Sequence, residues 1–303
     1  MELLRQLCAI HSPSGEEFRM AEFILKYVET HSSNWKTTPE IIHGDETQDM
    51  VILVFGKPRT AVYAHTDSIG FTVRYNDQLV PIGGPEAENG YILTGKDGLG
   101  DIECELTVDA EGRVRYRYSR EIDRGTSLIF KPDFNENATV VRSPSLDNRL
   151  GVYNALKIAE NLEHGALVFS TYEEHGGGTA SVAARLLYER FGLKQALVSD
   201  VTWATDGVHI GEGVAVSLRD SGIPRYTFVK RILDIAKKSE IPYQLEVEAS
   251  GGSDGRELQR SPYPVDWCFI GPPSADPHSP FETVSKKDIE SMIGLYEILM
   301  REL

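Results

Sequence analysis

The sequence has few cysteines and no long apolar run, and each shortage excludes a class of protein. Its three cysteines, Cys8, Cys104 and Cys268, lie far apart and form no C-x-x-C pair. They predict neither a disulfide framework nor a zinc knuckle, and they fit a reducing cytoplasm. No apolar window is long enough to span a bilayer, and the first ten residues, M-E-L-L-R-Q-L-C-A-I, lack the apolar core of a signal peptide. We expect a cytoplasmic protein with no membrane partner.

Positive charge is also scarce. Lys and Arg total 31 against 46 Asp and Glu, which gives a formal net charge of −15. Such a surface repels nucleic acid, so we expect no nucleic-acid partner. The most basic stretch, R-V-R-Y-R-Y-S-R at 113–120, alternates as the solvent face of a strand does. The composition, 41% hydrophobic, instead predicts a globular protein with one large core or a core domain plus a smaller one.

The residues that are present fall into two kinds of pattern. Segment 68–143 contains short alternating stretches interrupted by Gly and Pro, which predicts a small all-β unit. On either side, longer apolar segments alternate between strand and helix periodicity. The predicted strands are 50–56, 60–67, 166–172, 195–201, 243–248 and 265–270. The predicted helices are 15–30, with Ser14 and Glu17 as a capping box, 148–163, 179–190, 225–238 and one that begins near 285.

This order predicts the α/β fold class, with a mixed β-sheet flanked by helices on both faces and an inserted small all-β domain. We place the main domain in residues 1–67 and 144–303 and the insertion in residues 68–143.

Two glycine-rich stretches carry little functional signal. G-Y-I-L-T-G-K-D at 90–97 has the spacing of a phosphate loop through its lysine, but Asp97 stands where Ser or Thr is needed. It also lacks the flanking strand and helix that such a loop requires. S-G-G-S-D-G at 250–255 contains ordinary turn-forming residues.

The stronger signal is a set of acidic and histidine residues at the ends of predicted strands or at the start of a helix. Ligands of open α/β sheets bind at the carboxyl ends of the strands, so we expect these side chains to converge. Taken singly, each has an ordinary explanation as a helix cap or a structural histidine. The set consists of His65, Asp67, Asp147, Glu173, Glu174, Asp200 and His278.

These ligand types suit a hard to borderline metal ion such as zinc, cobalt or manganese, and no thiolate is needed. Three carboxylates, those of Asp147, Glu174 and Asp200, balance two divalent ions once a hydroxide is added. A single ion would leave the site strongly anionic. The sequence therefore predicts a two-metal hydrolytic site.

Five motifs, in this order and with a β insertion after the first, resemble the glutamyl aminopeptidase family of tetrahedral (TET) dinuclear metallo-aminopeptidases. The motifs are H-T-D-S-I-G, S-L-D-N-R-L-G, E-E-H-G, V-S-D-V-T and the loop that ends in P-H-S-P. The resemblance covers nearly the whole chain. It implies a zinc-peptidase-like main domain and an enzyme that removes N-terminal residues from peptides with a free N-terminus.

The resemblance also implies a role for each residue of the set. Asp147 would bridge two divalent ions, zinc first among the candidates and cobalt or manganese after it. His65 and Asp200 would complete one ion, and Glu174 and His278 the other. Glu173 would act as general base on a water between the ions, and Asp67 would accept a hydrogen bond from His65. A cis peptide bond would follow Asp147.

Assembly is a further implication, since the insertion of this family is a β-barrel-like dimerisation domain whose dimers build a hollow dodecamer. We expect a homo-oligomer between dimer and dodecamer.

The chain departs from the family at two positions: Ser68 replaces a usual acidic residue, and His175 replaces a usual apolar one. Neither is a ligand position, so the departures bear on substrate preference and leave the role of His175 open. Arg256 would favour acidic N-terminal residues if it pointed into the pocket, and an exposed position at a helix start is the alternative. Two other functions stay open: another dinuclear-metal hydrolase, such as a deacylase or carboxypeptidase, and a catalytically silent assembly protein.

Overall fold

A computed structural model describes all 303 residues, Met1–Leu303. The strands are β1 (Glu40–Ile42), β2 (Val51–Phe55), β3 (Ala61–His65), β4 (Gly70–Val73), β5 (Leu79–Ile82), β6 (Ile92–Asp97), β7 (Gly100–Val108), β8 (Val114–Arg117), β9 (Ser127–Phe130), β10 (Asn135–Glu136), β11 (Val140–Arg142), β12 (Gly165–Ser170), β13 (Gln195–Ser199), β14 (Thr202–Trp203), β15 (Val214–Arg219), β16 (Tyr243–Val247), β17 (Asp266–Gly271), β18 (Pro273–Ala275) and β19 (Thr283–Ser285). The helices are α1 (Glu2–Cys8), α2 (Phe18–His31), α3 (Leu146–Ala159), α4 (Ala180–Phe191), α5 (Tyr226–Ser239), α6 (Asp254–Arg260) and α7 (Lys286–Glu302).

The main domain is built on a mixed eight-stranded sheet in the order β1-β2-β12-β3-β13-β17-β15-β16. Its four central strands, β12, β3, β13 and β17, run parallel, while β2 and β15 run antiparallel to their inner neighbours. Because the central strands are parallel, their carboxyl ends meet at one edge of the sheet. This edge carries the candidate site.

Helices cover both faces of this sheet. In β2, the run V-I-L-V-F sends Val51, Leu53 and Phe55 into one hydrophobic core and Ile52 and Val54 into the other. The larger core packs against α1, α2, α3, α5 and α7, and the smaller one against α4 and α6. A strand buried on both faces explains why the central strands read as continuous apolar runs. The fold class predicted from the sequence is confirmed.

Strands β4 to β9 form a separate six-stranded antiparallel sheet in the order β5-β4-β9-β6-β7-β8. It encloses its own small core, in which Phe71, Leu93, Leu106 and Leu128 are fully buried. The basic stretch at 113–120 contributes β8 on the edge of this sheet, with Tyr116 buried and Arg117 exposed.

A small third sheet, β10-β11-β19-β18-β14, joins the last two strands of segment 68–143, β10 and β11, to the C-terminal part of the main domain. Its strands β18 and β19 flank the loop that holds His278.

One local prediction is wrong. Helix α2 begins at Phe18, and neither Ser14 nor Glu17 makes the capping-box contacts. The Ser14 hydroxyl instead donates to Asp67 at 2.6 Å, and the Glu17 carboxylate accepts N–H groups from Gly15 and Tyr172. These residues anchor the loop to the carboxyl edge of the sheet, so tertiary contacts have taken over the capping groups.

The helices of the structure do not include a segment that is both long and apolar enough to cross a lipid bilayer.

Candidate metal centre

The residues predicted to bind metal converge at the carboxyl edge of the main sheet. His65 is the last residue of β3, Asp200 directly follows β13, and Glu174 lies in a single 3₁₀ turn after β12. Asp147 lies in the first turn of α3, and His278 lies in the loop between β18 and β19. Each strand ends where the pattern of apolar residues ends, which places the first polar side chain at the rim of the sheet.

Asp147 lies at the centre of the group and faces a different histidine with each oxygen. Its Oδ1 is 3.2 Å from the Nε2 of His65, and its Oδ2 is 3.6 Å from the Nε2 of His278. Asp200 lies on the first side, 3.5 Å from His65 Nε2, and Glu174 lies on the second, 3.5 Å from His278 Nε2. The five side chains therefore form two sets that share Asp147.

Two observations fit a metal ion at this position. Ligand atoms of His65, Asp147 and Glu174 all lie within 4.8 Å of one another. The Oε1 of Glu174 is buried and has no hydrogen-bond partner in the protein. Because a buried polar atom without a partner is costly, such an atom beside histidine and carboxylate oxygens suits a divalent cation.

The pKa values of the ionisable side chains also fit a metal ion at this position. Burial raises the pKa of Glu174 well above its usual value, and Asp147 adds to the effect. Burial also raises the pKa of Asp200 to about 7. Burial lowers the pKa of His65, but Asp200, Asp147 and Asp67 together outweigh it and raise that pKa well above its usual value. Crowded carboxylates of this kind are stabilised in their charged form by a cation.

Asp67 is fully buried and holds the turn that follows β12. Its Oδ1 accepts the N–H of Glu173 at 3.1 Å, and its Oδ2 accepts the N–H of Glu174 at 3.0 Å and the hydroxyl of Ser14 at 2.6 Å. The Nδ1 of His65 lies 3.3 Å from Asp67 Oδ1, but the two atoms are not aligned for a hydrogen bond. Asp67 thus fixes the backbone of both glutamates as well as lying beside the histidine ring.

Glu173 differs from its neighbour. Its carboxylate accepts no hydrogen bond from the protein, and its Oε2 lies 3.8 Å from His65 Nε2. The side chain lines a cavity and is 18% exposed. Burial raises the pKa of this carboxyl well above its usual value. A free carboxylate with a raised pKa at the mouth of the site suits proton transfer.

The sequence did not single out three buried residues that support the site. The Glu282 carboxylate accepts the N–H of Asp147 at 2.9 Å, and burial raises its pKa to about 8. Arg149 donates to the carbonyls of Thr66 and Asp67. Asp254 accepts the Ser170 hydroxyl and lines the cavity. Their only sequence signal is a charged residue inside a segment that is otherwise apolar or turn-forming.

The peptide bond that follows Asp147 is cis, as the resemblance implied, and the side-chain amide of Asn148 donates to the carbonyl of Ser199.

The loop after β5 reaches back from the insertion to the site. The carbonyl of Gly84 lies 3.1 Å from the Nδ1 of His278, which leaves the Nε2 of that ring facing Asp147 and Glu174. The Nδ1 of His175 accepts the N–H of Gly83 at 3.1 Å. The insertion therefore helps to orient His278, and His175 holds the same loop.

The cavity over the site has a volume of about 390 Å³. Its floor contains Asp147, Glu174, Asp200 and His278, and its wall includes Trp203 and the exposed side chain of Arg256 at the start of α6. The cavity is large enough to admit the end of a peptide.

Comparisons with known proteins identify relatives of this chain and of its fold. The family model of M42 glutamyl aminopeptidases matches residues 101–295. A protein of Acetivibrio thermocellus, provisionally named an aminopeptidase, is 27% identical over 97% of this chain and 96% of its own length. The structure of aminopeptidase APDkam598 from the archaeon Desulfurococcus kamchatkensis superimposes with a TM-score of 0.87 at 22% identity, over 100% of this chain and 94% of that one. The TET1 peptidase of Pyrococcus horikoshii, which can assemble into a tetrahedron or a large octahedral shell, gives a TM-score of 0.83 at 21% identity, over 100% and 99% of the two chains.

Proposed function

The chain belongs to the M42 glutamyl aminopeptidase family and is a peptide hydrolase, and from that premise we propose that it is a dinuclear metal-dependent aminopeptidase. One observation carries the proposal: Asp147 presents its two oxygens to two different histidines, each with its own acidic neighbour. This is the arrangement that a carboxylate needs to bridge two ions.

The ligands follow from the two sets. His65 and Asp200 would hold one divalent ion with Asp147, and Glu174 and His278 would hold the other with Asp147. Zinc is the first candidate, and cobalt and manganese suit the same donors. Bound there, such ions would polarise the scissile carbonyl and acidify the attacking water.

The remaining steps belong to side chains of the protein. The Glu173 carboxylate, which has no other hydrogen-bond partner, takes the proton of the attacking water and returns it to the departing nitrogen of the peptide. Asp67 keeps Glu173 in place through the backbone N–H and keeps Glu174 in place in the same way. The cavity above these residues has room for the end of the peptide.

We also propose a division of the chain into two functional parts. Residues 1–67 and 144–303 form the catalytic domain, and residues 68–143 form the insertion that joins copies of the chain into dimers. The family relationship and the assemblies of the Pyrococcus horikoshii peptidase support this proposal.

The test is hydrolysis of an aminoacyl anilide by the purified protein before and after chelation. We expect activity to disappear on chelation and to return with zinc or cobalt, at about two ions per chain by metal analysis. Hydrolysis of an N-acylated amino acid but not of a free-amine substrate would favour the deacylase alternative. A protein that binds no metal at all would favour the silent assembly protein.

A further inference from the structure

A second cavity opens beside the one that holds the metal centre. Its volume is about 110 Å³, and it shares the walls formed by Val201, Trp203, Gly251 and Gly252 with the larger cavity. Val201 directly follows the proposed ligand Asp200. The two cavities therefore adjoin, and the side cavity lies close to the proposed metal centre.

The side cavity is lined by three carboxylates, those of Asp220, Glu246 and Glu248. Asp220 and Glu246 are only 8% and 3% exposed, so both are more than nine-tenths buried. One oxygen of Asp220 accepts the N–H of Gly222 at 2.5 Å. Asp220 thus lines the cavity with a carboxylate that has no salt-bridge partner.

The Glu246 carboxylate also has few hydrogen-bond partners in the protein. It accepts one hydrogen bond, from the hydroxyl of Thr202. The hydroxyl of Ser217, which is paired with Glu246 across strands β15 and β16, lies near this carboxylate and helps to lower its pKa. Burial raises the pKa of both Glu246 and Asp220, and this effect outweighs the hydrogen bonds and the nearby arginines that lower it.

The neighbouring arginines Arg219 and Arg256 lower the pKa of Asp220 from a distance, but neither forms a salt bridge with these acids. The Nε of Arg219 donates to the backbone carbonyls of Asp220 and Glu248, and Arg219 forms no salt bridge. Arg256 lines the larger cavity and not this one. None of the three carboxylates lies within 4.0 Å of a basic nitrogen of the protein. A buried carboxylate without a cation is costly, and a cationic ligand would remove that cost.

We propose that this side cavity binds the side chain of the substrate's N-terminal residue and selects a basic one, lysine or arginine. The inference rests on the proposed aminopeptidase function and adds the class of substrate. The cavity has room for a short aliphatic chain, whose ammonium or guanidinium end would meet Asp220 and Glu246. Charge-assisted hydrogen bonds to two buried carboxylates then distinguish a basic side chain from an apolar one of equal length.

The experiment compares anilides of lysine, norleucine and glutamate as substrates of the metal-loaded enzyme. Lysine and norleucine share the same four-carbon chain, so their ratio isolates the ammonium group. We expect kcat/KM for lysine to exceed that for norleucine by about tenfold or more, with glutamate the poorest substrate. Equal values for lysine and norleucine, or a preference for glutamate through Arg256, would overturn the proposal.

Two variants test whether the carboxylates of Glu246 and Asp220 cause the preference for lysine. Glu246→Gln keeps an oxygen for the Thr202 hydroxyl, and Asp220→Asn keeps one for the Gly222 N–H. Each should reduce the lysine-to-norleucine ratio by about tenfold, mainly through KM for lysine, while the norleucine rate shows that the enzyme is folded. Glu240→Gln is the matched control, because it removes an exposed acid six positions before Glu246 that does not line the cavity.

A binding measurement distinguishes a failure of this proposal from a failure of the proposed aminopeptidase function. Calorimetry with L-lysinamide and L-norleucinamide on the metal-loaded protein needs no turnover. Tighter binding of lysinamide with no hydrolysis of any anilide would support the cavity and reject the aminopeptidase. Hydrolysis that depends on metal but shows no preference for lysine would reject the cavity alone.

Discussion

Glu173 and Glu174 are neighbours in the chain but lie in different surroundings. Glu174 faces His278 and has a buried oxygen without a hydrogen-bond partner, whereas the Glu173 carboxylate opens to the cavity. The 3₁₀ turn over Glu173–His175 separates the two side chains, and Asp67 holds both backbone N–H groups of the pair. The two residues are of the same type, so their proposed roles differ only because their side chains point to different surroundings.

Replacing Glu173 with Gln should therefore remove catalysis without removing metal. A glutamine keeps the shape of the side chain but cannot accept the proton of the attacking water, so kcat should fall by about 10²- to 10⁴-fold. Metal analysis should still give the wild-type metal content. The adjacent variant Glu174→Gln is the comparison, and it should lose metal as well as activity. Loss of metal in Glu173→Gln would contradict the assignment.

Asp67 holds the backbone of both glutamates, so its replacement should weaken the metal centre. In Asp67→Asn, an amide NH₂ replaces one acceptor oxygen and meets a backbone N–H, so one of the two bonds to Glu173 and Glu174 is lost. We expect metal affinity to fall by about 10- to 100-fold, measured by calorimetric titration of the apo protein. Ser14→Ala, which removes only a hydroxyl contact to the same carboxylate, should have a smaller effect. Equal affinity in Asp67→Asn and wild type would show that Asp67 has no part in holding the site.

Individual elements show which parts of the molecule a sequence can predict. The strands that carry the site were predictable because they are buried on both faces, so that the first polar residue marks their end. Strand β15 and helix α6 were not identified. Their apolar runs are short, and α6 has only seven residues, which is too few for a helical period to be visible.

Contacts between elements are harder to predict from the sequence than the elements themselves. Ser14 and Glu17 have the spacing of a capping box, yet their side chains bond to residues 53 and 155 positions away. The contact between Gly84 and His278 joins residues 194 positions apart. Local patterns contain no information on such pairs, and only the packing of the insertion against the main domain creates them.

A substitution in the loop after β5 tests whether this loop holds His278 in place. Gly83 has a φ of +67°, and a Cβ there would lie 2.9 Å from Ile69 Cγ2 and 3.0 Å from the carbonyl oxygen of Glu174. Gly83→Ala should displace the loop and with it the carbonyl that holds His278. We expect one of the two ions to bind more weakly, which titration of the apo protein with cobalt would show as a split into two affinities.

Gly90→Ala is the matched control, since Gly90 also has a positive φ, +94°, but has open space around it. It carries the same backbone strain without the clash. A change in metal binding in Gly90→Ala but not in Gly83→Ala would contradict the proposed contribution of the loop.

At the scale of the whole molecule, the insertion has a core of its own and also exposes apolar side chains. Phe71, Leu93 and Leu128 fill that core, whereas Leu99, at the turn between β6 and β7, is 75% exposed. In the proposed contact with another copy of the chain, Leu99 would become buried. Because the insertion also contacts His278, the proposed dimerisation domain and the proposed metal centre share one structural unit.

We therefore expect light scattering on a sizing column to give a mass that is a multiple of the 33.7 kDa chain, from dimer to dodecamer. A lysine at position 99 places a charge in the proposed contact, so Leu99→Lys should shift the mass to a smaller species. Ile223→Lys is the control, because Ile223 is similarly exposed, at 62%, but lies in the main domain. A single-chain mass for the wild type, or dissociation by Ile223→Lys alone, would reject the insertion as the dimerisation domain. Activity of each species, measured on the same fractions, then shows whether the orientation of His278 by the insertion depends on assembly.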